Sequence, residues 1–324
     1  MLNTDMTESR DCLSVGVLVA DHMCAPLDRL PKPGELLVTD QLLLTIGGCA
    51  SNAAMDMARV GVGVSVVGCV GNDAFGQFII DTLHNAAADT RLIRKLDDVG
   101  TSATLIVNVK GEDRRFIHTL GANARLTAAD IPWEEIRRSK VFYVGGYLLM
   151  PALEQRELAE LFAAARKEGV TTVLDVVLPG PGDYWHRLEK LLPYTDVFLP
   201  NTDEAAELTG LADPKAQAER FFAAGAGTVV ITCGGDGTYL RSANEKLFAE
   251  VYKFPYVGGT GAGDAFDAGY ITGLLQGLGP RDCMAWGSAL GGSCVRSISA
   301  TESVFTRDEA EAYINEHPLK ISTW

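Results

Sequence analysis

Along most of this sequence, short apolar, β-branched runs alternate with longer stretches of helical periodicity, and few folds accommodate that order. From position 141 the pattern reads as strand at 141–144, helix at 153–168, strand at 171–175 and helix at 183–192. It continues as strand at 197–199, helix at 215–224 and strand at 228–232, and helical patterns over 262–275, 281–296 and 307–316 close the chain. Earlier, 13–20 reads as a buried strand, 51–60 as a helix, 62–67 as a second buried strand and 74–88 as a helix. Alternating units of this kind build a parallel sheet with helices on both faces. The expected class is α/β.

Two segments break the alternation. Residues 35–46 suggest two short strands, and 101–109 with 114–119 read as a hairpin turning at Lys110-Gly111-Glu112-Asp113. Both are expected in a small sheet that projects from the main body as a lid. No repeat, low-complexity segment or linker divides the 324 residues. A single domain over 1–324 is therefore expected, with lid segments at about 22–46 and 100–120.

The net charge of −14 argues against nucleic acid or an anionic membrane as the main partner. Seven widely spaced cysteines without a C-x-x-C pair suggest reduced thiols rather than zinc or a disulfide framework. The first eleven residues are polar and do not read as a signal peptide, and no apolar run is long enough to span a bilayer. A soluble, cytoplasmic protein is the expectation.

The most informative motif is Val257-Gly258-Gly259-Thr260-Gly261-Ala262-Gly263-Asp264-Ala265-Phe266. Small residues let the backbone approach a ligand closely, and a helix starting here presents free N–H groups to an anion. A carboxylate beside an anion hole repels the anion. Asp264 therefore has a chemical task, and taking a proton from a hydroxyl is the obvious one.

Four further pieces each carry an ordinary reading as well. Ile46-Gly47-Gly48-Cys49-Ala50-Ser51-Asn52 is a glycine turn before a helix, or a close backbone approach to a polar ligand with Asn52 as donor and acceptor. Asn201-Thr202-Asp203-Glu204 follows a strand; it is an N-cap with an acidic first turn, or a holder of hydrated Mg2+ and phosphate oxygens. Ile231-Thr232-Cys233-Gly234-Gly235-Asp236-Gly237 is a tight turn between strands, or exposed backbone under a nucleotide. Asp21 is a solvated loop residue, or a strand-end ligand for sugar hydroxyls. Gly61-Val62-Gly63 with Gly68 imitates a dinucleotide fingerprint, but its third glycine is misplaced and it precedes a strand. That disfavours an NAD enzyme, and no P-loop motif occurs anywhere.

Together these pieces resemble the ribokinase-like carbohydrate kinases, the PfkB family, from Asp21 to the last helices. Gly47-Gly48 with Asn52 matches one family signature and Thr260-Gly261-Ala262-Gly263-Asp264 the other, in the right order and more than two hundred positions apart. The resemblance implies a three-layer α/β/α fold with a mostly parallel sheet and a small β lid over a sugar. It implies an ATP-dependent carbohydrate kinase with Asp264 as base and Gly261, Ala262 and Gly263 as the anion hole. Asp21, Gly47, Gly48 and Asn52 would bind the sugar, with Arg115 from the second lid segment. Asn201, Glu204, Thr232, Gly234, Gly235 and Gly237 would serve ATP, with Glu204 reaching Mg2+ through water. A homodimer through the lid is admitted by analogy. Nucleoside phosphorylation on the same framework, and a non-catalytic sugar-binding regulator, stand as alternatives; an intact base argues against the regulator.

Two departures stand out. Many members carry Asp-Thr where this chain has Gly258-Gly259, and in ribokinase-type members that aspartate helps bind a monovalent cation, so potassium activation is not expected here. Many sugar-acid and fructose kinases carry D-x-N-x-R where this chain reads Asp175-Val176-Val177-Leu178-Pro179, which leaves the substrate open.

Overall fold

A computed structural model describes residues 10–112 and 115–324. Asp113 and Arg114, the end of the expected hairpin turn and the start of its second strand, lie outside the described residues, as do 1–9. The elements run in chain order as β1 (Arg10–Gly16), β2 (Val19–Cys24), β3 (Leu42–Gly47), α1 (Cys49–Arg59), β4 (Val64–Gly71), α2 (Ala74–Asn85), β5 (Asp89–Leu96), β6 (Ala103–Val107), β7 (Arg115–Thr119), α3 (Trp133–Arg138), β8 (Ser139–Gly145) and α4 (Gln155–Lys167). They continue as β9 (Thr171–Leu174), α5 (Trp185–Leu188), β10 (Val197–Phe198), α6 (Thr202–Thr209), α7 (Pro214–Ala223), β11 (Thr228–Thr232), β12 (Thr238–Ser242), β13 (Lys246–Ala249), α8 (Ala262–Leu275), α9 (Pro280–Cys294), α10 (Arg307–Glu316) and β14 (Ile321–Thr323).

Ten strands form one sheet in the order β14-β13-β12-β11-β10-β9-β8-β1-β4-β5. Pairing is parallel from β5 through β11 and antiparallel from β11 to β14. Because successive side chains of a strand face opposite ways, the buried residues divide into two cores, one on each face. One core gathers α1, α2, α8, α9 and α10; the other gathers α3, α4, α6 and α7. Four strands form a second sheet, β3-β2-β6-β7; β3, β6 and β7 come from the two segments that broke the alternation, and β2 precedes them. Among the described residues no helix is long and apolar enough to cross a membrane.

The expected strand at 13–20 is in fact two. β1 ends at Gly16, at φ +150°, where a Cβ would lie 2.1 Å from Gly145 O, and the chain turns into β2 of the second sheet. Asp21 therefore lies inside β2 rather than past a strand end. Residues 35–46 yield one strand, not two, because 35–41 find no neighbouring strand to pair with among the described residues. The expected helix at 183–192 shrinks to α5 and a short 3-10 turn at Leu192–Tyr194. Three strands, β5, β13 and β14, and the helix α3 were not anticipated, while β12 pairs antiparallel with β11 across the turn at 231–237.

Candidate active site

Parallel strands bring their carboxyl ends to one edge of the sheet, where ligands of open α/β folds bind. Here β8, β9, β10 and β11 end close together, and the first turn of α8 packs beside them.

Gly261 caps α8 with φ +79°, and a Cβ there would come within 2.5 Å of the Ala300 backbone, so only glycine fits. The Ala262 N–H donates to Gly259 O at 3.3 Å. The N–H groups of Gly261 and Gly263 meet no acceptor among the described residues, and the space beside the Gly263 Cα is open. These are the orphan donors of a helix start. Asp264 sits in the same turn. Its Oδ2 accepts from Asn52 Nδ2 of α1 at 2.7 Å, across 212 positions of sequence. Burial pushes its carboxyl up from the ordinary value, while Asn52 and the Cys49 thiol pull it back.

The lid sheet supplies the opposing wall. Asp21 on β2 is buried, and its Oδ2 occupies the place where a Gly47 side chain would begin, 2.0 Å from an ideal Cβ. Gly48, at φ +91°, would likewise drive a Cβ to 2.5 Å from Val17 O. The glycine pair is thus fixed by close approach, and it delivers Asn52 into α1. Burial raises the Asp21 carboxyl to about 6, opposed by a hydrogen bond from Thr104 and helped by the negative charge of Asp264.

Asn201 caps α6: its Oδ1 accepts from the N–H groups of Asp203 and Glu204 at 2.9 Å each, and Glu204 Oε2 accepts from Asn201 N–H at 3.0 Å. The ordinary reading of this motif is therefore realised. It leaves Asn201 Nδ2 and the second Glu204 oxygen outside the box, and both residues line a 190 Å³ pocket shared with Asp175, Asp264, Asp267, Cys49 and Thr232. Four carboxyls line that pocket and, among the described residues, no lysine or arginine does. Burial first, then mutual repulsion, raises Asp175, Glu204 and Asp267. A hard divalent cation with oxygen preference fits this donor set. One ligand atom each from Cys49, Asp175 and Asp264 also lie within 4.8 Å of one another, but a thiol ill suits Mg2+, which favours the Glu204 side.

Thr232, Gly234, Gly235, Ala262 and Gly263 line a larger cavity of about 640 Å³, walled also by Tyr252, Phe254, Phe266 and Ser288. Its volume suits a nucleotide, and it touches the acidic pocket at Thr232 and Gly263. Gly237 does not line it. At φ +111° its carbonyl accepts from Cys233 N–H at 2.8 Å and so shapes the loop. Arg115 is not brought to the site: it lies on the edge strand β7, half exposed and ion-paired with Glu112.

Sequence reasoning passed over three groups of the pocket. Asp175 follows β9, Cys49 follows the glycine pair, and Asp267 lies one helical turn after Asp264, where its Oδ2 accepts from Tyr143 OH at 2.9 Å. The signal for Asp175 was available, since it stands where a strand ends, as Asn201 does.

A family model described as pfkB family carbohydrate kinase matches residues 10–307. The ribokinase of Haemophilus influenzae is 28% identical over 309 residues, covering 94% of this chain and 97% of that protein. The 2-dehydro-3-deoxygluconokinase of Bacillus subtilis is 29% identical over 282 residues, 83% of this chain and 86% of that protein. Among solved structures, a candidate ribokinase II of E. coli in complex with ATP and Mg2+ superposes with a TM-score of 0.79 at 20% identity, over 95% of this chain and all of that one.

Proposed function

The chain belongs to the pfkB family of carbohydrate kinases and phosphorylates a sugar hydroxyl at the expense of ATP, and from that premise we propose how its own residues carry out the transfer. Asp264 is the base. The observation that carries this is its position: a carboxyl steered by Asn52, one residue beyond the unengaged N–H group of Gly263. The acceptor sugar lies between the lid and α8, held by Asp21, Asn52 and the backbone at Gly47 and Gly48. Its oxygen attacks the γ-phosphorus as the bond to the β,γ-bridging oxygen breaks; ADP leaves, and the hydroxyl proton passes to Asp264. A loose transition state asks for that proton late, so a carboxylate suffices as base. Negative charge on the transferred group meets the helix-start N–H groups of Gly261 and Gly263. Ala262 contributes less than its neighbours, because its N–H is already turned to Gly259 O.

The nucleotide lies over the 232–237 loop. Mg2+, when bound, neutralises phosphate charge, and Glu204 with Asn201 would hold it through its water shell. Gly258 in the place of an aspartate argues against a role for K+. Arg115 is a weaker substrate candidate than the other lid residues, since Glu112 already engages it. We assign the molecule to the cytoplasm and to a single domain, and expect it to pair through the lid. Neither nucleic acid nor membrane belongs to this reading.

The test is Asp264→Asn, assayed by ADP release over a panel of pentoses, hexoses, sugar acids and nucleosides. Turnover is expected to fall about a thousandfold, the scale of a lost general base, with nucleotide binding retained. Turnover near that of the unmodified enzyme would remove Asp264 from the role. The panel also identifies the acceptor.

A further inference from the structure

One helical turn beyond Asn52, α1 carries a second polar side chain in an unusual state. Asp56 is 0% exposed, and neither of its carboxyl oxygens has a hydrogen-bond partner among the described residues. Arg59, the nearest cation on its own helix, is engaged elsewhere: its guanidinium donates to Glu302 O and Val304 O at 3.0 and 2.9 Å. Among the described residues no ion pair accounts for Asp56. An isolated buried carboxylate is costly enough that the group takes up a proton instead. Burial, with the charge of Asp264 on α8 added and that of Arg59 opposing, holds Asp56 well above the ordinary carboxylate range. A protonated carboxyl has one O–H to donate.

The acceptor it lacks is one turn back. Asn52 is 3% exposed, and its Oδ1 is also buried without a partner, while its Nδ2 is committed to Asp264. Residues at i and i+4 share one face of a helix, about 6 Å apart at Cβ. A donor without an acceptor and an acceptor without a donor thus stand side by side. We infer that the Asp56 carboxyl donates to Asn52 Oδ1, directly or across one buried water, and so holds the amide with Nδ2 toward Asp264. Asp56 is then a positioning residue. Reversed, the amide would present its oxygen to the carboxylate that must take the proton.

This rests on Asp264 acting as the base, and the experiment separates the two. Asp56→Asn, Asp56→Val and Asp56→Ala are made in the full chain, with and without Asn52→Ala, and assayed with the panel sugar of highest turnover. Asp56→Asn keeps an N–H donor in the same volume and is expected to retain kcat. Asp56→Val and Asp56→Ala are expected to lose about tenfold in kcat, the scale of one hydrogen bond to a polar group left unpaired, with KM for ATP unchanged. In the Asn52→Ala background they are expected to cause no further loss, because the group they act through is gone. Full kcat in Asp56→Val and Asp56→Ala, or an equal loss in the Asn52→Ala background, would overturn the inference. An inactive Asp264→Asn beside that result would leave the base in place and remove only Asp56 from its support.

Discussion

Asp21 shows what a buried carboxyl costs the fold around it. Its ordinary value of 3.8 rises to about 6 when it is buried against Gly47. The folded state thus binds its proton more tightly than the unfolded state does. The contribution to stability is fully present below pH 4 and is lost as pH rises through 6. At about 1.4 kcal/mol per unit the effect is on the order of 2–3 kcal/mol. Asp21→Asn is expected to melt at a higher temperature than the unmodified enzyme at pH 7.5 and at the same temperature at pH 4. Equal differences at both pH values in thermal unfolding would refute this. The residue itself was legible in the sequence as a carboxylate near a strand. Asp56 was not, because an aspartate inside a helical pattern has no mark that separates a solvated one from a buried one. That difference is made by α8, which arrives from the other end of the chain.

Among the elements, α6 is the clearest case in which one motif serves two ends. The capping box from Asn201 to Glu204 is complete, yet the same side chains face the acidic pocket. Asn201→Ala is expected to lose about 1 kcal/mol of stability, the usual worth of a cap, and to raise KM for MgATP. Asn201→Ser keeps the cap and loses the amide. A normal KM in Asn201→Ser would mean that Asn201 only caps the helix. Elements with strong periodicity were readable: β11 and α10 coincide with their expected bounds at 228–232 and 307–316. Those that were missed owe their form to neighbours. β5 carries Asp89, Arg91, Arg94 and Lys95 and is a strand because β4 pairs with it. β13 and β14 are antiparallel additions at the other edge. The break at Gly16 depends on the Gly145 carbonyl, more than a hundred positions away.

For the molecule as a whole, the parallel sheet and the displaced small sheet were both foreseeable from the order of patterns. What the small sheet shows to solvent was not, since it depends on register. Leu44, His22, Leu105 and Ile117 lie in register across its four strands, and the three apolar members are 38%, 47% and 66% exposed. An apolar row on an outward face suits a partner, and a second copy of the chain is the expected one. Leu105→Asp should convert a dimer to a monomer in light scattering after gel filtration; an unmodified protein that is already monomeric would exclude the arrangement. The opposite face of the same sheet holds Asp21, so the proposed acceptor site is divided between a broad body with two buried cores and a four-stranded appendage with apolar surface turned outward. Two parts so unequally anchored need not fail together. Catalysis by this molecule then reports the docking of its smaller part, and heat or denaturant would silence it while most of the polypeptide is still folded.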